Sequence, residues 1–211
     1  MSNIYLLSPT PKEGVISLPM IGFKRVVDSI DFSSCDTLMF TSKQAVVTAD
    51  SIDKSWRDIP SIAIGSATKA KIESFGAEVI YHPKEFYGER LAEDIESFFR
   101  DRKILYLRPS KVMFDSKGYL LSSGIELQEQ IIYKTSCISY DISKKPPKGS
   151  IIIFTSPSTI HCFLESFEWD SSYKAVVIGN STKVHLPPDT IVEVASKPLI
   201  ESCIKRAYDM I

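Results

Sequence analysis

The sequence predicts an α/β fold: two similar parallel-sheet lobes, Rossmann- or flavodoxin-like, joined by a two-stranded β linker, with one lobe inserted into the other. Three observations lead there. Two motifs recur at one spacing, strands alternate with helices, and the second copy stops one strand short. Phe40-Thr41-Ser42 is matched by Phe154-Thr155-Ser156, and Ile64-Gly65-Ser66-Ala67-Thr68-Lys69 by Ile178-Gly179-Asn180-Ser181-Thr182-Lys183. Phe154 lies 114 residues after Phe40, and Gly179 lies 114 after Gly65. Chance would not preserve the distance between two motifs, so the chain carries a duplicated supersecondary unit.

The elements follow in order. Ile4-Tyr5-Leu6-Leu7 is a short apolar run closed by Ser8-Pro9, the pattern of a strand ending in a turn. Residues 15–23 are extended but interrupted by Pro19 and Gly22, which sit poorly in the middle of a sheet and suit a linker strand leaving the first unit. Strands are then expected at 37–40, 62–64, 78–81 and 104–107. Helices are expected between them at 42–51, 68–75 and 88–99, with a last one reaching about 122. Gly76 stops the second helix, and Leu91, Ile95, Phe98 and Phe99 recur at helical spacing in the third. Strands alternating with helices of this length imply parallel strands covered on both faces.

Residues 127–140, rich in Ile, Tyr and Thr, break the rhythm as a long extended return that could pair with 15–23. The second copy then places strands at 151–154, 175–178 and 191–194, with helices from 158, from 182 and over 199–210. It lacks a counterpart to strand 104–107. At an offset of 100, Ile4, Leu7, Pro9 and Thr10 meet Ile104, Leu107, Pro109 and Ser110, so the amino terminus supplies the missing strand. The expected organisation is a discontinuous lobe of residues 1–13 and 143–211 and an inserted lobe of 24–126. A two-stranded linker of 14–23 and 127–142 joins them as a hinge.

A net charge of −1 provides no broad basic field, so nucleic acid is not an expected partner. No apolar run approaches the ~18 residues of a membrane span, and Met1-Ser2-Asn3-Ile4 lacks a basic signal start; the expectation is a cytoplasmic protein with no membrane partner. Cys35, Cys137, Cys162 and Cys203 have no paired spacing, which points to reduced thiols rather than a disulfide frame. Adjacent His161 and Cys162 do not make a metal-ligand set, and no metal site is expected.

Each repeated motif sets hydroxyl residues between a strand end and a helix start, where open parallel sheets bind ligands. Thr41 and Ser42, Ser66 and Thr68, Thr155 and Ser158, and Ser181 and Thr182 offer hydroxyls beside helix amino-terminal N–H groups that suit carboxylates or phosphates. Gly65 and Gly179 allow close backbone approach. Lys43, Lys69, Arg108, Lys111 and Lys183 add positive charge nearby. Taken singly, each Ser or Thr is as well explained as a helix cap, and each cation as a solvated surface residue. The same motifs in both lobes favour two halves of one ligand cleft. Dinucleotide, Walker, nucleophile-elbow and His-Glu-x-x-His motifs are absent, so binding and positioning are the expected means of catalysis.

Phe40-Thr41-Ser42-Lys43-Gln44-Ala45-Val46, Ile64-Gly65-Ser66-Ala67-Thr68, Ile132-Tyr133-Lys134-Thr135, Phe154-Thr155-Ser156-Pro157-Ser158 and Ile178-Gly179-Asn180-Ser181-Thr182 together resemble uroporphyrinogen-III synthase, over nearly the whole chain. The resemblance implies a substrate, hydroxymethylbilane, a linear tetrapyrrole polycarboxylate closed to uroporphyrinogen III with inversion of the last ring and no cofactor. It implies a monomer that meets the preceding pathway enzyme only transiently. It assigns Tyr133, the family's tyrosine in the returning linker, as candidate proton donor to the departing hydroxyl. It adds Ser156 and Asn180 to the substrate-binding candidates. Gln44 departs from the family's usual Asn. The rival reading is a two-lobed binding protein that closes on a small polyanionic ligand without chemistry.

Overall fold

The computed structural model describes residues 3–85 and 87–211. Met1 and Ser2, part of the segment assigned above to the discontinuous lobe, and Phe86 lie outside the described residues. The chain forms two compact units, one made of the chain up to Gly22 with Ser136–Ile211, the other of Phe23–Thr135.

The first unit contains β1 (Ile4–Leu6), β2 (Ile16–Ser17), β9 (Ile151–Phe154), β10 (Lys174–Val177) and β11 (Ile191–Val194) in the order β11-β10-β9-β1-β2. Its helices are α5 (Pro157–Ser166), α6 (Asn180–Lys183) and α7 (Ile200–Tyr208). The sheet of the second unit is formed by β3 (Ile21–Arg25), β4 (Thr37–Phe40), β5 (Ser61–Ala63), β6 (Val79–Tyr81), β7 (Ile104–Pro109) and β8 (Gln128–Cys137), in the order β3-β8-β7-β4-β5-β6. Its helices are α1 (Lys43–Ile52), α2 (Ser66–Glu73), α3 (Gly88–Phe98) and α4 (Ser116–Ser122). β3 and β8 carry the chain between the units. Met20 O accepts the Ile138 N–H (2.9 Å), and Ile132 O accepts the Val26 N–H (3.1 Å).

The repeat is visible in the strand register. In the second unit Thr37 pairs with Ile104 and Leu38 with Ser61; in the first Ile151 pairs with Ile4 and Ile152 with Ala175, all in parallel. Ile151, Ile152 and Ala175 lie 114 residues beyond Thr37, Leu38 and Ser61. The amino-terminal strand therefore occupies beside β9 the place that β7 occupies beside β4, as the missing-strand reading requires.

Strands buried on both faces account for the apolar runs. In the second unit Leu38, Phe40, Leu105 and Leu107 pack with Ala45, Val46 and Ala49 of α1 and with Trp56, while Met39, Ile62, Ile104 and Tyr106 pack on the other face with Leu91 and Ile95 of α3. The first unit repeats this. Ile152, Phe154, Ala175 and Val177 meet Ile160 and Phe163 of α5, and Ile151, Ile153 and Val176 meet Cys203 and Ala207 of α7. Alternate residues of one strand serve opposite faces, as pleating requires.

One expectation is overturned. Cys137 and Cys162 form a disulfide, with Cα atoms 5.1 Å apart, leaving Cys35 and Cys203 as the free thiols among the described residues. The 25-residue separation carries no sequence signature, because the bridge joins the last residue of a strand to the middle of a helix and depends on how α5 packs.

Candidate active site

Consecutive residues after β4 turn their hydroxyls to different tyrosines. Thr41 Oγ1 lies 2.6 Å from Tyr106 Oη, on β7, and Ser42 Oγ lies 2.9 Å from Tyr133 Oη, on β8. Ser42 also caps α1, accepting the Ala45 N–H at 3.0 Å. Both hydroxyls thus have partners inside the unit, at the carboxyl end of the central strand.

Tyr133 reaches Ser42 because β8 is irregular. Arg108 pairs with Ile131 but Pro109 pairs with Tyr133, so Ile132 is an extra residue on β8. Such a bulge re-aims side chains. Ile132 and Tyr133 consequently both enter the core that packs against α1, whereas strict alternation would send them to opposite faces. Tyr133 is 3% exposed, and Phe23 meets its ring edge-on at 5.8 Å between centroids. Burial pushes its phenol above the ordinary tyrosine range, and the Ser42 hydrogen bond pulls it back in part. The phenol is therefore protonated at neutral pH and able to donate.

Tyr106 is the site residue that sequence reasoning missed. Inside Ile104-Leu105-Tyr106-Leu107 it reads as core, and only its hydroxyl contact distinguishes it. Burial pushes it up; Thr41 and the Arg108 charge oppose that. Arg108 Nε sits 3.2 Å from Glu129 Oε1, on β8. That nitrogen is buried without a properly aligned acceptor, so the pair is a charge contact rather than a directed hydrogen bond. The cation expected to meet substrate therefore has an internal counter-charge.

The other candidates fall into two groups. Ser156 caps α5 in a capping box, its Oγ accepting the Thr159 N–H while Thr159 Oγ1 accepts the Ser156 N–H. Thr68 and Thr182 are buried, at 5% and 1% exposure. Gly65 and Gly179 precede α2 and α6 in extended backbone with no side-chain cap, which leaves first-turn N–H groups without a side-chain acceptor. A Cβ at Gly179 would meet open space. Lys43, Ser66, Ser158, Asn180 and Ser181 are exposed, and Thr155 is half-buried at the end of β9. Gln44 donates to Thr48 Oγ1 at 3.1 Å, one helical turn along α1. His161 pairs with Glu165 (3.1 Å) while Cys162 is in the disulfide, so the adjacent His and Cys serve separate contacts.

A family model described as uroporphyrinogen-III synthase HemD matches residues 13–205. The chain belongs to the uroporphyrinogen-III synthase family. Its fold is similar to the crystal structure of uroporphyrinogen-III synthetase from Helicobacter pylori 26695, with a TM-score of 0.83 and 24% identity over 100% of both chains. It is also similar to a mutant uroporphyrinogen III synthase from the extremely thermophilic bacterium Thermus thermophilus, with a TM-score of 0.57 and 11% identity over 100% of both chains. None of the curated proteins compared with the chain matches it. Among the described residues no helix is long and apolar enough to cross a membrane.

Proposed function

We propose that this uroporphyrinogen-III synthase family member closes hydroxymethylbilane to uroporphyrinogen III as a cyclising hydro-lyase that uses no metal or organic cofactor. The observation that carries the reading is the family match over residues 13–205, which favours the synthase over a binding protein. The hydroxyl leaves as water, and the methylene carbon it leaves behind is attacked by the substituted carbon of the last pyrrole ring, giving a spiro intermediate. The older methylene bond at that carbon then breaks and re-forms at the ring's free carbon, which loses its proton, so the ring is inverted as the macrocycle closes.

Tyr133 acts as the proton donor to the departing hydroxyl. Its support is a buried phenol, held protonated by its surroundings, in a hydrogen bond at the carboxyl end of the sheet. The exposed strand-end groups, Lys43 and Ser66 in one unit and Ser158, Asn180 and Ser181 in the other, are the partners offered to acetate and propionate carboxylates, while Arg108 is held by Glu129 and Ser42 and Ser156 hold their helices. The rest of the catalysis is positioning, since the substrate loses its hydroxyl readily and the task is to favour one closure over another. We place the activity in the cytoplasm, in a monomer.

The test supplies hydroxymethylbilane and separates the isomers formed. Uroporphyrinogen III is the expected product, made much more slowly by Tyr133→Phe. Isomer I alone from the wild-type protein overturns the enzyme reading, and wild-type rates in Tyr133→Phe remove Tyr133 from the mechanism.

A further inference from the structure

Ser42 Oγ has two neighbours, and their geometry restricts what its proton can do. The Ala45 N–H donates to it at 3.0 Å, and Tyr133 Oη lies 2.9 Å away. If Tyr133 donated to Ser42, its proton would be committed inside the protein. If Ser42 donates to Tyr133, a directed chain runs from the first turn of α1 through the Ala45 N–H and the Ser42 hydroxyl to the phenol oxygen, and the phenol proton is free to leave. Each donor in such a chain polarises the next, and the positive end of a ten-residue helix stands behind it.

We propose that Ser42 is a positioning residue for the reaction. Its hydroxyl donates to Tyr133 Oη, aims the phenol proton outward and stabilises the phenolate left when that proton is given up. The inference rests on the proposed role of Tyr133 and assigns Ser42 a part other than binding a substrate carboxylate. Three further features support it. The bulge at Ile132 brings Tyr133 to this face, and without it the phenol would not meet Ser42. The ring is buried, so water does not substitute readily for the missing partner. No carboxylate or cation contributes to the displacement of the Tyr133 phenol; its contributors are burial, which raises it, and Ser42, which lowers it. Of the other titratable groups, Tyr106 on β7 feels the charge of Tyr133, and Arg108 and Glu129 act on Tyr106.

The test removes the hydroxyl while sparing the helix. Glycine is nearly as good an N-cap as serine, so Ser42→Gly removes the donor at little cost to α1, and Ser42→Thr restores a hydroxyl. Tyr133 ionisation is read as tyrosinate absorbance, taking the difference between each protein and the same protein with Tyr133→Phe. In Ser42→Gly the Tyr133 titration moves up by about one pH unit, the size of one hydrogen bond to a charged group. Formation of the III isomer slows roughly three- to tenfold. Ser42→Thr returns both values toward wild type. An unmoved titration in Ser42→Gly overturns the proposal, and so does a moved titration with an unchanged rate. Should Tyr133→Phe itself work at the wild-type rate, the role of Tyr133 in the reaction falls, while the titration still decides whether Ser42 donates to it.

Discussion

Reducing the Cys137–Cys162 bridge should destabilise the unit formed by the chain up to Gly22 and Ser136–Ile211. Both cysteines lie in that unit, with a sequence separation of 25. Loop-closure entropy for that length is about 12 cal/mol/K, or about 3.5 kcal/mol at 25 °C. With a urea dependence of about 2 kcal/mol/M, the midpoint should fall by about 1.7 M. The two tryptophans make the assay local. Trp169 packs against the core of this unit beside Phe163 and Tyr173, whereas Trp56 is buried in the other unit. In a Trp56→Phe background, fluorescence follows Trp169 alone, and melts with and without dithiol reductant are compared within that background. Thiol counting supplies the control. The unfolded, unreduced chain should present two thiols, Cys35 and Cys203, and the reduced chain four. Four thiols before reduction, or a Trp169 midpoint that does not move on reduction, refutes the reasoning.

Alkaline pH should unfold the protein through its phenols. Burial raises Tyr106, Tyr133 and Tyr140 above their ordinary value, and Tyr173, which donates to Pro146 O, is pushed up to about 12. A folded-state value above the unfolded one means full stability below pH ~10 and progressive loss toward pH ~12, checked by circular dichroism against tyrosinate absorbance. Stability that rises across that window contradicts the assignment. Asp94→Ala should cost about 2 kcal/mol, because the carboxylate is 2% exposed and accepts from Tyr81 Oη at 2.8 Å; the Arg90 contact at 2.7 Å is discounted since Arg90 is 48% exposed. Asp94→Asn should lose less in a urea melt, as the amide oxygen still accepts from Tyr81. Ser156→Ala should cost about 1 kcal/mol as a lost cap of α5, and Ser156→Gly only a few tenths. Equal losses in the two would show that the cap is not the source.

Two sheets of mainly parallel strands and the borrowed amino-terminal strand are legible in residue order. Alternating strands and helices, a repeat at one offset and a second copy lacking one strand together leave β1 one place to go, beside β9. Those features survive in one dimension because periodicity and spacing are properties of the chain itself. The caps are equally visible as Ser before a helix, yet whether Ser42 and Ser156 cap or bind depends on what else their hydroxyls meet. Tyr133 is reached through family resemblance, and its position does not follow from alternation, since one inserted residue at Ile132 reverses the face it presents. Tyr106 reads as core, and Arg108 as a free cation until Glu129 appears across the β7–β8 pair. The disulfide joins a strand end to a helix by packing alone. Pleat and helical period assign a residue to a face, but a hydrogen bond, an ion pair or a bridge requires two remote segments in register. That register is decided only when the sheet is assembled.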